Sequence, residues 1–170
     1  MTRKTYILGS GSPREKLPDH VYVDIRKFPG VDLVIDLEKT PWPIEDRAAM
    51  HLNATHILEH IRNLHAFMDE CWRICSPGGS MFYEVPIVDN PDLAFCDPTH
   101  VRFFRPHTFI NYLSVEGVHK HGQFRHAWTF VHYEVKGGVV RGHLFPVPDE
   151  ALTDESIRMW KEYKTNYSHV

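Results

Sequence analysis

The chain has 170 residues, 42% of them hydrophobic, with a formal net charge of −3 and three cysteines. A slightly acidic balance argues against a broad nucleic-acid footprint, because neutralising many phosphates takes a basic excess, here confined to Arg102, Arg105, Lys120 and Arg125. No apolar run is long enough for a membrane span, and Met1-Thr-Arg-Lys-Thr5 enters the first strand without an apolar leader, so one cytoplasmic domain over residues 1–170 with reduced, unpaired thiols is expected.

In chain order, residues 5–8 form an apolar run that breaks at Gly9-Ser10-Gly11, which predicts a strand ending in a ligand loop where the backbone approaches closely. A second run, residues 21–23, ends in Asp24, and a third, residues 31–35, ends in Asp36. A carboxylate at a strand tip can accept hydrogen bonds from ribose hydroxyls, and ligands of open α/β sheets bind outside the carboxyl ends of the strands. Together these features point to a nucleoside-containing cofactor. Residues 50–54 supply a fourth strand, less apolar than a parallel strand covered on both faces.

Thr55-His56-Ile57-Leu58-Glu59-His60 then leads into apolar residues spaced three and four apart, from Leu58 to Cys75, which predicts a helix. Ser76-Pro77-Gly78-Gly79 should stop it before a fifth strand over residues 81–85. The connection over residues 86–106 is too long to be a plain link and contains Asp97-Pro98-Thr99-His100 followed by Val101-Arg102-Phe103-Phe104. Pro106 suits the first turn of a helix with Phe109, Tyr112 and Leu113 on its apolar side. Residues 128–135 and 139–146 flank Lys136-Gly137-Gly138 and predict an antiparallel hairpin, and a short helix is expected within residues 151–170.

The segments Leu8-Gly9-Ser10-Gly11, Asp24, Asp36-Leu37, residues 55–60 and Arg73-Ile74-Cys75-Ser76-Pro77-Gly78-Gly79 occur in an order that resembles the class I methyltransferases using S-adenosylmethionine, and among them the small type-11-like members. The resemblance covers roughly residues 5–113. It implies an α/β fold: a reduced Rossmann-like methyltransferase sheet, mostly parallel, with a C-terminal antiparallel hairpin. It also implies S-adenosyl-L-methionine as cofactor and methyl transfer to an unidentified acceptor. Carried over by position, Gly9, Ser10 and Gly11 would pack on the methionine part and Asp24 would hold the ribose. Asp36 and Leu37 would flank the adenine, while Thr55 and His56 would border the methionine moiety or the sulfonium.

The Asp97-Pro98-Thr99-His100 segment, which similar small methyltransferases often carry, would cover the methyl group. His100 is then the expected base for an acceptor that must lose a proton, oriented by Asp97, with Phe103 and Phe104 shielding the site from water. Direct displacement at the sulfonium needs little beyond an aligned nucleophile and a dry site.

Two features depart from the pattern. About a dozen residues separate the first two strands and fewer separate the next two, at or below what a helical crossover needs, so early helices should be shortened or missing. One sheet face should be thinly covered, and apolar surface left there would favour a homodimer or a partner protein. Two other functions are open on the residues alone. One is a S-adenosylmethionine- or nucleoside-binding partner subunit without catalysis. The other is a zinc hydrolase, because His56, Glu59 and His60 fit a His-x-x-Glu-His pattern in which the histidines of one helix face bind zinc and Glu59 activates water.

Overall fold

In a computed structural model of the protein, described here over residues 4–151, seven strands form one sheet in the order β3-β2-β1-β4-β5-β7-β6. The strands are β1 (Lys4–Leu8), β2 (His20–Asp24), β3 (Leu33–Val34), β4 (Ala49–Thr55), β5 (Cys75–Pro86), β6 (Trp128–Lys136) and β7 (Val139–Pro146). The pairs from β3 to β5 are parallel, and β7 lies antiparallel to both β5 and β6. The mostly parallel sheet with a terminal hairpin therefore forms as expected, turning at Gly137 and Gly138, both at positive φ. The helix expected within residues 151–170 lies outside the described residues.

No helix stands between β1 and β4. The connections that would carry the first crossover helices are turns and loops, as their length requires. Helical cover comes from α1 (Leu64–Ile74), α3 (Thr108–Leu113) and α4 (Val115–His121), with a short α2 (Pro91–Ala94) in the long connection. Leu64, Phe67, Met68, Cys71 and Ile74 bury one side of α1 against a core that includes Leu8, Leu52, Met81, Tyr83 and Val85. The loop after β3 covers the same core with Trp42, buried and edge-on to Phe67 at 5.3 Å, its indole N–H donating to the Leu37 carbonyl at 3.3 Å.

The opposite sheet face explains the weak apolarity of the fourth strand. Across the register, His51 stands beside Ser80, Asn53 beside Phe82 and His143, and Thr55 beside Glu84 and Arg141, while alternate residues Leu52 and Ala54 point into the core. His51 Nδ1 lies 3.0 Å from Ser80 Oγ, and Arg141 bridges Glu134 at 2.7 Å and Glu84 at 3.5 Å. A parallel strand with one face in water alternates instead of running apolar. The thin cover is as expected, and the uncovered face is mixed: polar side chains lie beside half-buried Ile7 and Phe82 and exposed Val34.

Local differences have plain causes. The helix expected from Leu58 begins only at Leu64, where the Asn63 side chain accepts from the Ala66 N–H at 3.2 Å; before it lies a single 3-10 turn, Leu58–His60. Residues 76–79 do not separate helix from strand; they bulge from the start of β5, so that Ala49 pairs with Cys75 but His51 with Ser80. Gly79 is needed there, because a Cβ would stand 2.6 Å from the Met50 carbonyl oxygen. α4 is not among the expected elements, although its caps are local: the Ser114 hydroxyl accepts from the Gly117 N–H at 3.1 Å, and Gly122 closes the helix at φ +61.

Candidate functional site

The loop after β1 leaves the sheet through two left-handed residues, Gly9 at φ +68 and Gly11 at φ +59. They differ in surroundings. A Cβ on Gly9 would lie 2.7 Å from Ile57 Cδ1, so this glycine lets the loop pack on the segment after β4. Among the described residues a Cβ on Gly11 would meet nothing within 4 Å, so this glycine borders open space. The loop is tied to β2 at two points: the Ser10 N–H donates to the Val23 carbonyl at 2.9 Å, and the Gly11 N–H donates to Asp24 Oδ2 at 2.8 Å. Asp24 Oδ1 accepts from the Arg26 N–H at 2.9 Å, so the buried carboxylate holds both its own turn and the glycine loop, with one lone pair on each oxygen left over.

Asp36 caps its turn through the Glu38 N–H at 3.1 Å and pairs with Lys39 at 3.3 Å. Leu37 is buried, and its side chain belongs to the core. At the end of β4 the Thr55 hydroxyl donates to Asn53 Oδ1 at 2.7 Å. His56 sits at φ +51, an uncommon conformation for a non-glycine residue, with its ring between two carboxylates: Nδ1 is 3.2 Å from Glu59 Oε1 and Nε2 is 3.2 Å from Glu84 Oε1. The hydrogen bond with Glu59 raises the His56 pKa above its usual value, against burial, which lowers it.

The Asp97–Arg105 segment docks on the turn after β4. The Val101 and Arg102 N–H groups donate to the Glu59 carbonyl at 2.9 and 3.1 Å, and the Arg102 guanidinium donates to the Ile61 carbonyl at 2.7 Å and to that of Arg62. Arg105 pairs with Asp89 at 3.0 Å on the surface. Among the described residues no hydrogen bond joins the side chains of His100 and Asp97. The Asp97 carboxylate accepts from the Thr99 hydroxyl at 2.6 Å and from its N–H at 2.8 Å, and these bonds hold its pKa below the usual carboxylate range. The His100 ring is oriented instead by the Ala94 carbonyl, 2.9 Å from Nδ1. Phe104 is buried, whereas Phe103 is half exposed against Phe95, ring centroids 4.7 Å apart. Behind the segment lies an apolar cavity of about 400 Å³ lined by Leu64, Val101, Phe104, Phe109, Tyr112 and Phe124. A larger space of about 1120 Å³ opens at the other end of the sheet, beside Lys4, Asp19 and Met50, away from the glycine loop.

The zinc arrangement expected from His56, Glu59 and His60 does not form as drawn. His56 lies at the strand end and His60 in the 3-10 turn, so the two histidines share no helix face. His60 instead approaches His100, ring centroids 4.8 Å apart.

The glycine loop, the acids at two strand ends and the segment after β5 all follow the carboxyl ends of parallel strands. No family model and no curated protein matches the sequence. Solved structures do match the fold. A chain in a complex containing the Haloferax volcanii Trm112 methyltransferase activator aligns with a TM-score of 0.60 at 13% identity, over 85% of this chain and 82% of that one. A Burkholderia thailandensis 1,6-didemethyltoxoflavin-N1-methyltransferase, solved with 1,6-didemethyltoxoflavin and S-adenosylhomocysteine, aligns at 0.57 and 13%, over 86% and 72%. A SAM-dependent methyltransferase from Aquifex aeolicus aligns at 0.56 and 10%, over 86% and 85%. No helix among the described residues is long and apolar enough to cross a membrane. At identities this low the shared property is architecture: the chain has the class I methyltransferase fold, with its early crossover helices reduced to loops.

Proposed function

We propose that this protein binds S-adenosyl-L-methionine in the cleft between the glycine loop and the ends of β2 and β4, and transfers its sulfonium methyl group to an acceptor. The observation that carries the reading is the open space at Gly11 beside the tethered Asp24, an acid with acceptor capacity to spare. Gly9, Ser10 and Gly11 would hold the methionine part and Asp24 the ribose hydroxyls. Asp36 and the backbone of Leu37 would lie by the adenine, and Thr55 and His56 by the sulfonium. When bound, the cofactor supplies an activated methyl group with a good leaving group.

The chain's own task is to place an acceptor in line and keep water out. His100 is the acceptor-side group in this reading. Its Nδ1 must carry the proton that the Ala94 carbonyl accepts, which leaves the other ring nitrogen unprotonated and able to take a proton from an oxygen or nitrogen acceptor. Asp97 acts one step removed, by pinning Thr99 and with it the turn that presents His100. One cytoplasmic domain acting alone or with a second protein completes the proposal; light scattering and cell fractionation address those parts.

Calorimetry with S-adenosylmethionine and S-adenosylhomocysteine tests the central claim. Saturable 1:1 binding of both is expected, lost in Gly11→Val. Absence of binding at millimolar ligand overturns the reading, and binding without methyl transfer to a broad acceptor panel leaves a cofactor-binding subunit as the function.

A further inference from the structure

Beside the cleft, one ligating atom each of Glu59, His60 and His100 lies within 4.8 Å of the others. From these residues we infer that the protein carries a binding site for a divalent first-row transition ion such as Zn²⁺, built from two histidines and one carboxylate. The set differs from the one the sequence pattern suggests: Glu59 is a ligand, not a water-activating base, His56 is outside it, and the third ligand comes from a segment about forty residues downstream.

An independent observation points to the ligand. Glu59 is 1% exposed, and its Oε2 has no hydrogen-bond partner among the described residues, although Oε1 is satisfied by His56 at 3.2 Å. A buried carboxylate oxygen without a partner costs free energy unless a cation or donor meets it. The neighbouring rings are prepared to supply the rest of the shell. A carbonyl can only accept, so the Ala94 carbonyl fixes the proton of His100 on Nδ1. The Thr99 hydroxyl donates to Asp97 and therefore accepts from His60 Nδ1 at 3.0 Å. In both residues the remaining ring nitrogen is left as a lone pair, and such outer hydrogen bonds to carbonyls and carboxylate-backed groups are what orient metal-binding histidines.

Ligand atoms around Zn²⁺ stand roughly 3–3.5 Å apart, given bonds of about 2.0–2.1 Å, so loading draws the three side chains inward by about an ångström or more. His60 and His100 are only partly buried and can move; Glu59 cannot move far, and so defines where the ion sits. Two imidazoles and one carboxylate favour zinc, iron(II) or cobalt(II) over the oxygen-seeking magnesium and calcium. Three protein ligands leave at least one position open for water or another ligand. Ion and proton compete for the lone pair of His100, so the base role proposed above belongs to the ion-free form.

The test uses the full chain, stripped with chelator and dialysed, in competition titrations with Zn²⁺ and in visible spectra with Co²⁺. Expected are one equivalent of bound Zn²⁺, d–d absorption for Co²⁺, no comparable binding of Mg²⁺, and at least a tenfold loss of Zn²⁺ affinity in each of Glu59→Gln, His60→Ala and His100→Ala, with His143→Ala unchanged. His60→Ala is the safeguard against misfolding, since that ring is partly exposed, and circular dichroism checks each variant. Failure of the wild type to bind Zn²⁺ more tightly than the triple variant, or wild-type affinity retained in the single variants, overturns the site. Zn²⁺ binding is read without S-adenosylmethionine, so this result and that of the cofactor titration stand or fall separately.

Discussion

The Gly11 N–H donates to Asp24 Oδ2 at 2.8 Å, joining the loop after β1 to the end of β2 across thirteen residues. The acid expected to face the cofactor thus also shapes the loop that would cradle it. Asp24→Ala should weaken S-adenosylmethionine binding by about 1–3 kcal/mol, the usual cost of removing a charged acceptor. It should also increase amide exchange at Gly11, whereas a residue that touched only ligand would leave the free protein unchanged. Calorimetry and hydrogen exchange read the two effects, and unchanged affinity removes Asp24 from the site.

The two glycines of the loop should separate by experiment. Gly9→Ala combines left-handed strain with a clash at Ile57 and should destabilise the fold by more than the ~1–2 kcal/mol of strain alone. Gly11→Ala meets open space, so its stability loss should stay near that strain while cofactor affinity falls. Urea unfolding beside ligand titration distinguishes them.

On the proposed reading, His100→Ala should lower methyl transfer while S-adenosylmethionine affinity in metal-free protein stays near wild type, because the ring is held by the Ala94 carbonyl and not by the glycine loop. Loss of both, or of neither, places His100 in the cofactor shell or the scaffold.

Glu70 predicts an acid limb to stability. Burial alone pushes its carboxyl up, but the Arg73 guanidinium at 2.7 and 2.8 Å and the Trp42 N–H at 2.7 Å outweigh burial and hold the pKa below the usual 4.5. A carboxyl depressed in the folded state stabilises it above the unfolded pKa, and that contribution is lost as pH falls through the folded value. The stability gap between wild type and Glu70→Gln should therefore be widest at neutral pH and shrink below about pH 4.5, as denaturant midpoints across pH would show.

The thiols should divide one against two. Cys71 and Cys75 are buried on and just after α1, and burial pushes the Cys75 thiol up to about 12 and Cys71 well above its ordinary value, while Cys96 is exposed. A thiol reagent should modify Cys96 alone in the native protein and all three cysteines after denaturation.

The positions of the main strands along the chain, the glycine break after the first, the acids after the second and third, and the hairpin about Gly137 and Gly138 were legible in the sequence, because each is a local matter of period, conformation or a residue at a strand end. The polar alternation of His51, Asn53 and Thr55 was legible too, as a strand with one face in water, although the missing helices invited the expectation of an apolar face. What the sequence could not supply were partners distant along the chain. His56 and His60 look like a ligand pair at their spacing, yet the left-handed turn at His56 and the 3-10 turn after it send the two rings different ways. Only docking of the long connection, through the Val101 and Arg102 N–H groups onto the Glu59 carbonyl, brings His100 to His60 and the buried Glu59. Backbone hydrogen bonds of that kind depend on where two segments meet in space, and no residue identity along the chain encodes them singly.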